Sequence, residues 1–287
     1  MHAHHMLRHL FWPLVVASVA IEAGWYMLVQ NRSYPWREMV ATIGVRVLHL
    51  PMRMLAPMLI TPVALLVWNH RIATIPLNTG WGLVLLFLGE EFAYYWEHRA
   101  GHEVRWMWAT HVVHHTSERI HFGSAFRTGA TTLISGDWLL RLPLYLLGLN
   151  PLAVAGMQAI NLMYQFFLHT DLIGRLGPLE WVLNTPSHHR VHHASNREYL
   201  DRNYGGILII WDRLFHTFAR EDPGIPIAYG LVHPIGSLNP ITILSHEWRA
   251  IMRDATRACT GRELLRQLFG RPGAVPTPAP HPAAPVE

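Results

Sequence analysis

The stretch W-G-L-V-L-L-F-L-G-E-E-F-A-Y-Y-W-E-H-R-A-G-H-E, from Trp81 to Glu103, runs out of an apolar segment straight into two histidines four residues apart. Trp81 to Trp96 reads as a membrane helix that delivers His98 to the point where lipid meets water. Residues three and four apart share one face of a helix, so His98 and His102 aim at one point. Glu91, Tyr95, His98 and His102 fall at i, i+4, i+7 and i+11, a single stripe. An acid at the membrane end of such a stripe is costly without a partner. Glu91 is therefore expected to orient an imidazole, with Tyr95 beside it in the catalytic site.

Working outward, the whole composition supports a membrane protein. Of 287 residues 51% are hydrophobic and 15% charged, with a mean hydropathy of +0.15, whereas a soluble domain carries about 25% charge. Leu10 to Val29 is long enough to cross the hydrocarbon, since a helix needs about 20 residues. No small-residue cleavage site follows it, so it reads as a membrane helix rather than a signal peptide. Val47 to Trp68 is a second, interrupted by Pro51, Pro57 and Pro62, which membrane helices tolerate. Leu133 to Leu149 and Pro151 to Leu168 form a hairpin hinged at Gly148, Asn150 and Pro151, with limbs short enough to dip into the bilayer rather than cross it.

The expected fold is all-α: an integral membrane bundle of about four to five helices with a cytoplasmic, helical, histidine-rich cap. Residues 1–80 hold the N-terminal helices, 81–220 the catalytic domain, 221–270 a C-terminal segment and 271–287 a disordered tail rich in Pro and Ala. Between Ser245 and Phe269, Trp248, Ile251, Met252, Leu264, Leu265, Leu268 and Phe269 alternate with Arg and Glu. That pattern fits an interfacial amphipathic helix or an ordinary surface helix.

All 23 basic residues are Arg. They lie between apolar stretches and around the histidines, which suits membrane topology and headgroup contact and excludes nucleic-acid binding. Arg32, Arg37 and Arg46 lie between the first two helices and only Arg71 in the following turn, so the positive-inside rule turns His98 toward the cytoplasm. The Arg-only usage is consistent with a GC-rich bacterial genome, hence a bacterial inner membrane. A lone Cys259 cannot build a disulfide framework or a Cys zinc site.

Eleven of the 21 histidines fall between His98 and His193. His111, His114 and His115 repeat the H-x-x-H-H spacing of His189, His192 and His193. Eight rings from three segments are too many for one ion and suit two. Zinc sites draw on Cys or a His-carboxylate mixture, and haem needs only one or two axial His. Imidazole suits Fe, Cu, Zn or Ni by ligand type, and two adjacent ions under an apolar helical wall fit an oxygen-activating di-iron centre best.

Three segments carry a resemblance: E-F-A-Y-Y-W-E-H-R-A-G-H-E (Glu91 to Glu103), W-A-T-H-V-V-H-H-T-S-E (Trp108 to Glu118) and N-T-P-S-H-H-R-V-H-H (Asn184 to His193). N-Y-G-G-I-L-I-I-W-D-R-L-F (Asn203 to Phe215) extends it. Together they resemble the fatty acid hydroxylase and sterol desaturase superfamily, most closely its alkylglycerol monooxygenase branch. The resemblance implies a di-iron, dioxygen-dependent membrane enzyme that oxidises an unactivated C–H bond of a lipid, with ether-lipid cleavage the leading reaction. A sterol, carotenoid or fatty-acyl hydroxylase or desaturase, fed by a ferredoxin or cytochrome, is the alternative.

Carried over residue by residue, the implied ligands are His98, His102, His111, His114, His115, His189, His192 and His193, with His169 as a ninth. Glu103 is implied as a contact for a tetrahydropterin; an acid paired with Arg99 or Arg105 is the other reading. His188 and His121 read as neighbours of the ligands, and Asp171 and Asp212 as further acids that could hold an imidazole. Trp96, Trp106, Trp108, Tyr164, Phe166 and Phe167 fit either a lipid tunnel or ordinary packing. One departure from the pattern is His216, which stands where the family usually has Gly. After residue 220 the chain turns polar with no further span expected. Electrons are expected from outside, by pterin or an external redox protein.

Overall fold

Two long apolar helices come first in the structure, a computed structural model that describes residues 2–273, with side chains from Phe11 onward. Of the expected disordered tail, 274–287 lies outside the described residues. Helices α1 (His2–Leu28) and α2 (Trp36–Asn69) are each long and apolar enough to cross a bilayer. Only 11% of the α2 stretch is buried. Val40, Ile43, Val47, Met54, Met58 and Leu66 face outward, an apolar surface far larger than water tolerates. The helix starts at Trp36 rather than Val47 and continues unbroken through Pro51, Pro57 and Pro62.

The third apolar segment lies in α3 (Gly80–Glu103). Thr79 caps it by accepting the Gly82 N–H at 3.2 Å, which fills one of the vacant bonds at a helix start. The helix runs on past the apolar segment and carries His98 and His102 in its last turns. Val104 alone, in extended conformation, separates it from α4 (Arg105–His115), which folds back beside it. Gly101 lies against His111, where an added Cβ would stand 3.4 Å from its side chain, in ordinary contact.

The expected limb Leu133 to Leu149 is not one helix. It is broken into α5 (Thr132–Ser135), a 3-10 turn Asp137–Arg141 and α6 (Leu142–Leu147). Gly136, at φ +77°, takes the left-handed conformation that ends α5. The turn then sends Arg141 inward to Glu90, at 3.6 Å, and to Glu97. The second limb is a continuous α7 (Pro151–Phe166), with Asn150 accepting the N–H groups of Leu152 and Ala153 and Pro151 in the first turn.

Short helices α8 (Pro186–His192) and α9 (Ile210–Leu214) complete the histidine-bearing layer. The expected single amphipathic helix is two, α10 (Pro240–Ala255) and α11 (Gly261–Phe269). Ile243 and Ile251 bury one face of α10. Arg105 clamps it to α4 by donating to Glu247 at 2.8 Å and Asp254 at 2.7 Å. Leu264, Leu265 and Phe269 of α11 stay exposed. The described residues form no β-strand, only isolated bridges Leu183–Leu208 and Ala194–Tyr229.

Residues 29–35, the start of α2, the end of α3, α4 and α8 meet at one end of the molecule. Buried Arg127 fastens this end, donating to the Glu38 carbonyl at 2.9 Å, to Thr42 at 3.1 Å and to the Glu38 carboxylate. His216 holds a left-handed φ of +60°, which explains why glycine suits that position.

Candidate metal centre

The nine histidines assigned from sequence gather into two groups, within each of which the potential ligand atoms lie no more than 4.8 Å apart. His98, His102, His111, His115 and His192 form one; His114, His169, His189 and His193 form the other. Each H-x-x-H-H triad is divided rather than aimed at one point. At about 100° per residue, positions i and i+4 are separated by about 40°, so His111 and His115 share one group and His189 and His193 the other. His114 and His192, each one residue before the second member of such a pair, point about 100° away and cross to the opposite group.

Backbone carbonyls set the rings. His98 Nδ1 donates to the Tyr204 carbonyl at 2.8 Å and His192 Nδ1 to that of Arg202 at 3.0 Å. His114 Nδ1 donates to the Arg127 carbonyl at 3.2 Å and His169 Nδ1 to that of Gln165 at 2.7 Å. A carbonyl oxygen only accepts, so a neutral ring held this way has its single proton on Nδ1 and a bare lone pair on Nε2. His114 and His169 turn such lone pairs toward each other across 3.1 Å. Burial pushes His114 down to about 4 and His169 well below its ordinary value, so no shared proton relieves that repulsion at neutral pH.

A cation between the rings would. Among the described residues the buried Nε2 atoms of His102 and His192 have no hydrogen-bond partner, which is the same signature of a ligand atom. The donor set therefore fits two metal ions. Burial, then the mutual repulsion of the neighbouring imidazoles, also holds His111, His115, His189, His192 and His193 well below their ordinary pKa. Neutral rings are the form that binds metal.

The acids do not stand where the sequence reading puts them. Glu91 reaches no imidazole. It accepts the N–H groups of Ile207 and Leu208 at 2.9 and 2.8 Å and the Asn161 amide at 2.6 Å. Asp212 accepts from Tyr204 N, Gly205 N and Thr217 Oγ1, each at 2.7 Å. The two carboxylates thus fix the loop whose Tyr204 carbonyl holds His98. The carboxylate that does face a ligand is Asp201, 3.8 Å from His102 Nδ1, and the contact holds Asp201 below its ordinary pKa.

Tyr95 turns away from the centre, bonding Thr217 at 2.9 Å and stacking on Phe215. Its neighbour Tyr94 packs against His98 instead. Glu103 lies at the rim in an ion pair with Arg99 at 3.1 Å, while Arg105 is engaged by α10. Asp171 accepts from Tyr26 and Tyr229 and holds no histidine. His188 packs on Phe218 and His121 lies 3.3 Å from Tyr34 Oη, both outside the groups.

Among the aromatics, Trp108 lies against His102 and His115. Trp96 packs on Phe215, Trp106 on Trp248, and Phe166 and Phe167 on Phe122. Tyr164 bonds the Asn184 carbonyl at 2.6 Å. Sequence reasoning missed Tyr204, whose ring lies 5.2 Å from that of His102 and whose carbonyl holds His98. It also missed Asp201 and the Gln165 carbonyl. Only Tyr204 falls inside the Asn203-to-Phe215 motif; Asp201 sits in a turn without periodic signal, and Gln165 lies on the apolar helix α7, where nothing marks its carbonyl.

The fatty acid hydroxylase family matches residues 83–217. The alkylglycerol monooxygenase of Homo sapiens is 45% identical over 181 residues, 63% of this chain and 40% of that protein. That of Danio rerio is 48% identical over 172 residues, 60% of this chain and 38% of that protein. An ornithine lipid hydroxylase of Rhizobium tropici is 32% identical over 136 residues, 47% and 41% of the respective chains. The matches span about two fifths of the length of these relatives. No solved structure matches the chain.

Proposed function

We propose, from the match of residues 83–217 to the fatty acid hydroxylase family, that the protein is a membrane-bound lipid monooxygenase with two iron ions. The observation that carries this reading is the facing pair of bare Nε2 atoms on His114 and His169. His98, His102, His111, His115 and His192 would hold one ion, and His114, His169, His189 and His193 the other. Two ferrous ions there would supply the electrons dioxygen must take up before a methylene C–H bond can be attacked. The carbonyls of Tyr204, Arg202, Arg127 and Gln165 hold the ring protons on Nδ1, and Glu91 and Asp212 hold the loop that presents Tyr204. Trp108 and Tyr204 wall the site against water.

The similarity to alkylglycerol monooxygenases at 45% and 48% identity favours an ether lipid as substrate. Hydroxylation of the carbon beside the ether oxygen gives a hemiacetal, which collapses to an aldehyde and an alcohol. Residues 1–80 anchor the protein, 81–220 form the catalytic domain, and 221–270 pack against it. Arg32 and Arg37 at the metal-centre end favour a cytoplasmic active site in a bacterial inner membrane. Electrons come from a tetrahydropterin, with Glu103 at the rim as its contact, or from an external redox protein.

The test is iron-loaded, detergent-solubilised protein given a 1-O-alkylglycerol, dioxygen and reduced pterin. Fatty aldehyde in step with oxygen uptake is expected. Iron-replete protein that consumes no oxygen with any lipid and any donor would overturn the reading. The similarity to an ornithine lipid hydroxylase favours a second outcome, a hydroxylated lipid without aldehyde, which would assign acyl-chain hydroxylation instead.

A further inference from the structure

Just beyond His169 the chain passes into a cleft that the metal centre does not use. Its volume is about 420 Å3, and it is lined by Tyr26, Arg32, Ser33, Arg119 and Asp171. The segment 29–35 joins the two helices able to cross the bilayer, so Arg32 and Ser33 lie at the membrane–water boundary. Asp171 follows His169 by two residues, which limits their Cα separation to about 7 Å. The cleft and the metal centre are therefore next to each other.

Its charges are arranged as a complementary set. Three other arginines near the centre, Arg99, Arg127 and Arg190, are ion-paired to Glu103, Glu38 and Glu221. Among the described residues Arg32 and Arg119 form no ion pair. Arg119 only donates to the Ser33 carbonyl at 3.5 Å, which brings the two loops together. Both guanidiniums are exposed. Facing them, Asp171 accepts one hydrogen bond on each carboxylate oxygen, from Tyr26 at 3.0 Å and Tyr229 at 2.9 Å. Those bonds fix the carboxylate between two aromatic rings, and among the described residues no cation lies within ion-pair distance of it.

A purely anionic ligand would pair with the arginines but meet Asp171. A neutral one would leave two guanidiniums and a carboxylate without counterions. A ligand bearing a phosphate and an ammonium a few bonds apart satisfies both halves, since guanidinium binds phosphate oxygens through paired N–H bonds and an ammonium gains from a carboxylate flanked by tyrosine rings.

We propose that this cleft binds the zwitterionic head group of a membrane phospholipid or lysophospholipid, the phosphate on Arg32 and Arg119 and the ammonium on Asp171. The lipid's glycerol and first chain carbons then lie toward His169 and the metal centre. The assignment rests on the lipid-oxidising function proposed above, yet head-group binding is measured without turnover, so either can fail alone.

Detergent-solubilised protein is titrated by native mass spectrometry with lysophosphatidylethanolamine, lysophosphatidic acid and monoacylglycerol of one chain length, and with inorganic phosphate. Lysophosphatidylethanolamine is expected to bind at least about tenfold more tightly than monoacylglycerol, the size of about one charge-assisted contact. The R32A/R119A variant is expected to lose that preference while retaining its metal content. R32K/R119K should keep part of it. D171N should close the gap between lysophosphatidylethanolamine and lysophosphatidic acid.

Equal binding of lysophosphatidylethanolamine and monoacylglycerol, or a preference that survives R32A/R119A, would overturn the proposal. Tighter binding of lysophosphatidic acid would overturn the role of Asp171. Inorganic phosphate competing as well as the lysolipid would reduce the cleft to a simple anion site and overturn the lipid assignment.

Discussion

Asp212→Ala is expected to loosen the metal centre from behind without removing a ligand. Asp212 takes the N–H groups of Tyr204 and Gly205 and the Thr217 hydroxyl, each at 2.7 Å, and it is fully buried. Alanine leaves two buried backbone N–H groups without acceptors, at about 1–3 kcal/mol each, so about 2–6 kcal/mol of stability is at stake. The Thr217 hydroxyl keeps Tyr95 as a partner. Water reaching the loop would bring the loss toward the lower figure. The same loop presents the Tyr204 carbonyl to His98, and loss of such outer support lowers metal affinity about 10–100-fold. Asp212→Asn retains one acceptor oxygen and should show the smaller share of both effects. The assay is metal per chain after dialysis against graded chelator, with thermal unfolding of the same samples. If Asp212→Ala unfolded earlier but surrendered its metal at the wild-type chelator concentration, the loop would not support His98 and the argument would fail.

Two further outcomes follow from the division of the histidines. His192→Ala and His189→Ala should each cost about one of the two ions, and single variants that lose both or neither would contradict separate groups. The buried imidazoles also predict a pH dependence for metal-free protein. The folded-state pKa of His114 is depressed to about 4 from about 6.5 in the unfolded chain. Between those values the unfolded chain binds more protons, so stability is present above about pH 6.5 and falls as the solution is acidified. At pH 5 His114 alone contributes a loss of about 2 kcal/mol. Thermal unfolding from pH 7.5 to 5 should show the loss in stripped protein and a loss at least as large in metal-loaded protein, because a metal-bound imidazole takes up no proton while the unfolded chain still does; stripped protein whose stability does not fall over this range would argue against neutral, buried rings.

Periodicity and motif spacing were enough to identify the long apolar helices, the continuation of α3 through His98 and His102, and eight of the nine histidines that converge, while His169 came from the family resemblance. Each of these features is local, either a run of apolar residues or a spacing of three and four on one helix. The triads look alike in sequence because spacing alone does not say which neighbour lies on either side. The break at Gly136 escaped notice because the demand that breaks the helix, pairing Arg141 with Glu90 and Glu97, comes from another helix.

The same distinction governs the acids. A helical stripe suggested Glu91 as partner to an imidazole, but a carboxylate bonds the nearest unmet donors, and here those are Ile207 and Leu208, more than a hundred residues along the chain. Asp201, in a left-handed turn at φ +59°, has no periodic context, yet it is the acid that faces His102. Sequence by itself determined an all-helical, lipid-facing protein with enough imidazoles for two metal ions, because hydrophobic runs and helix geometry act over a few residues. Only the tertiary structure decided which ring joins which histidine group and which carbonyl or carboxylate holds it, because hydrogen-bond partners are chosen by proximity in space after the helices have packed.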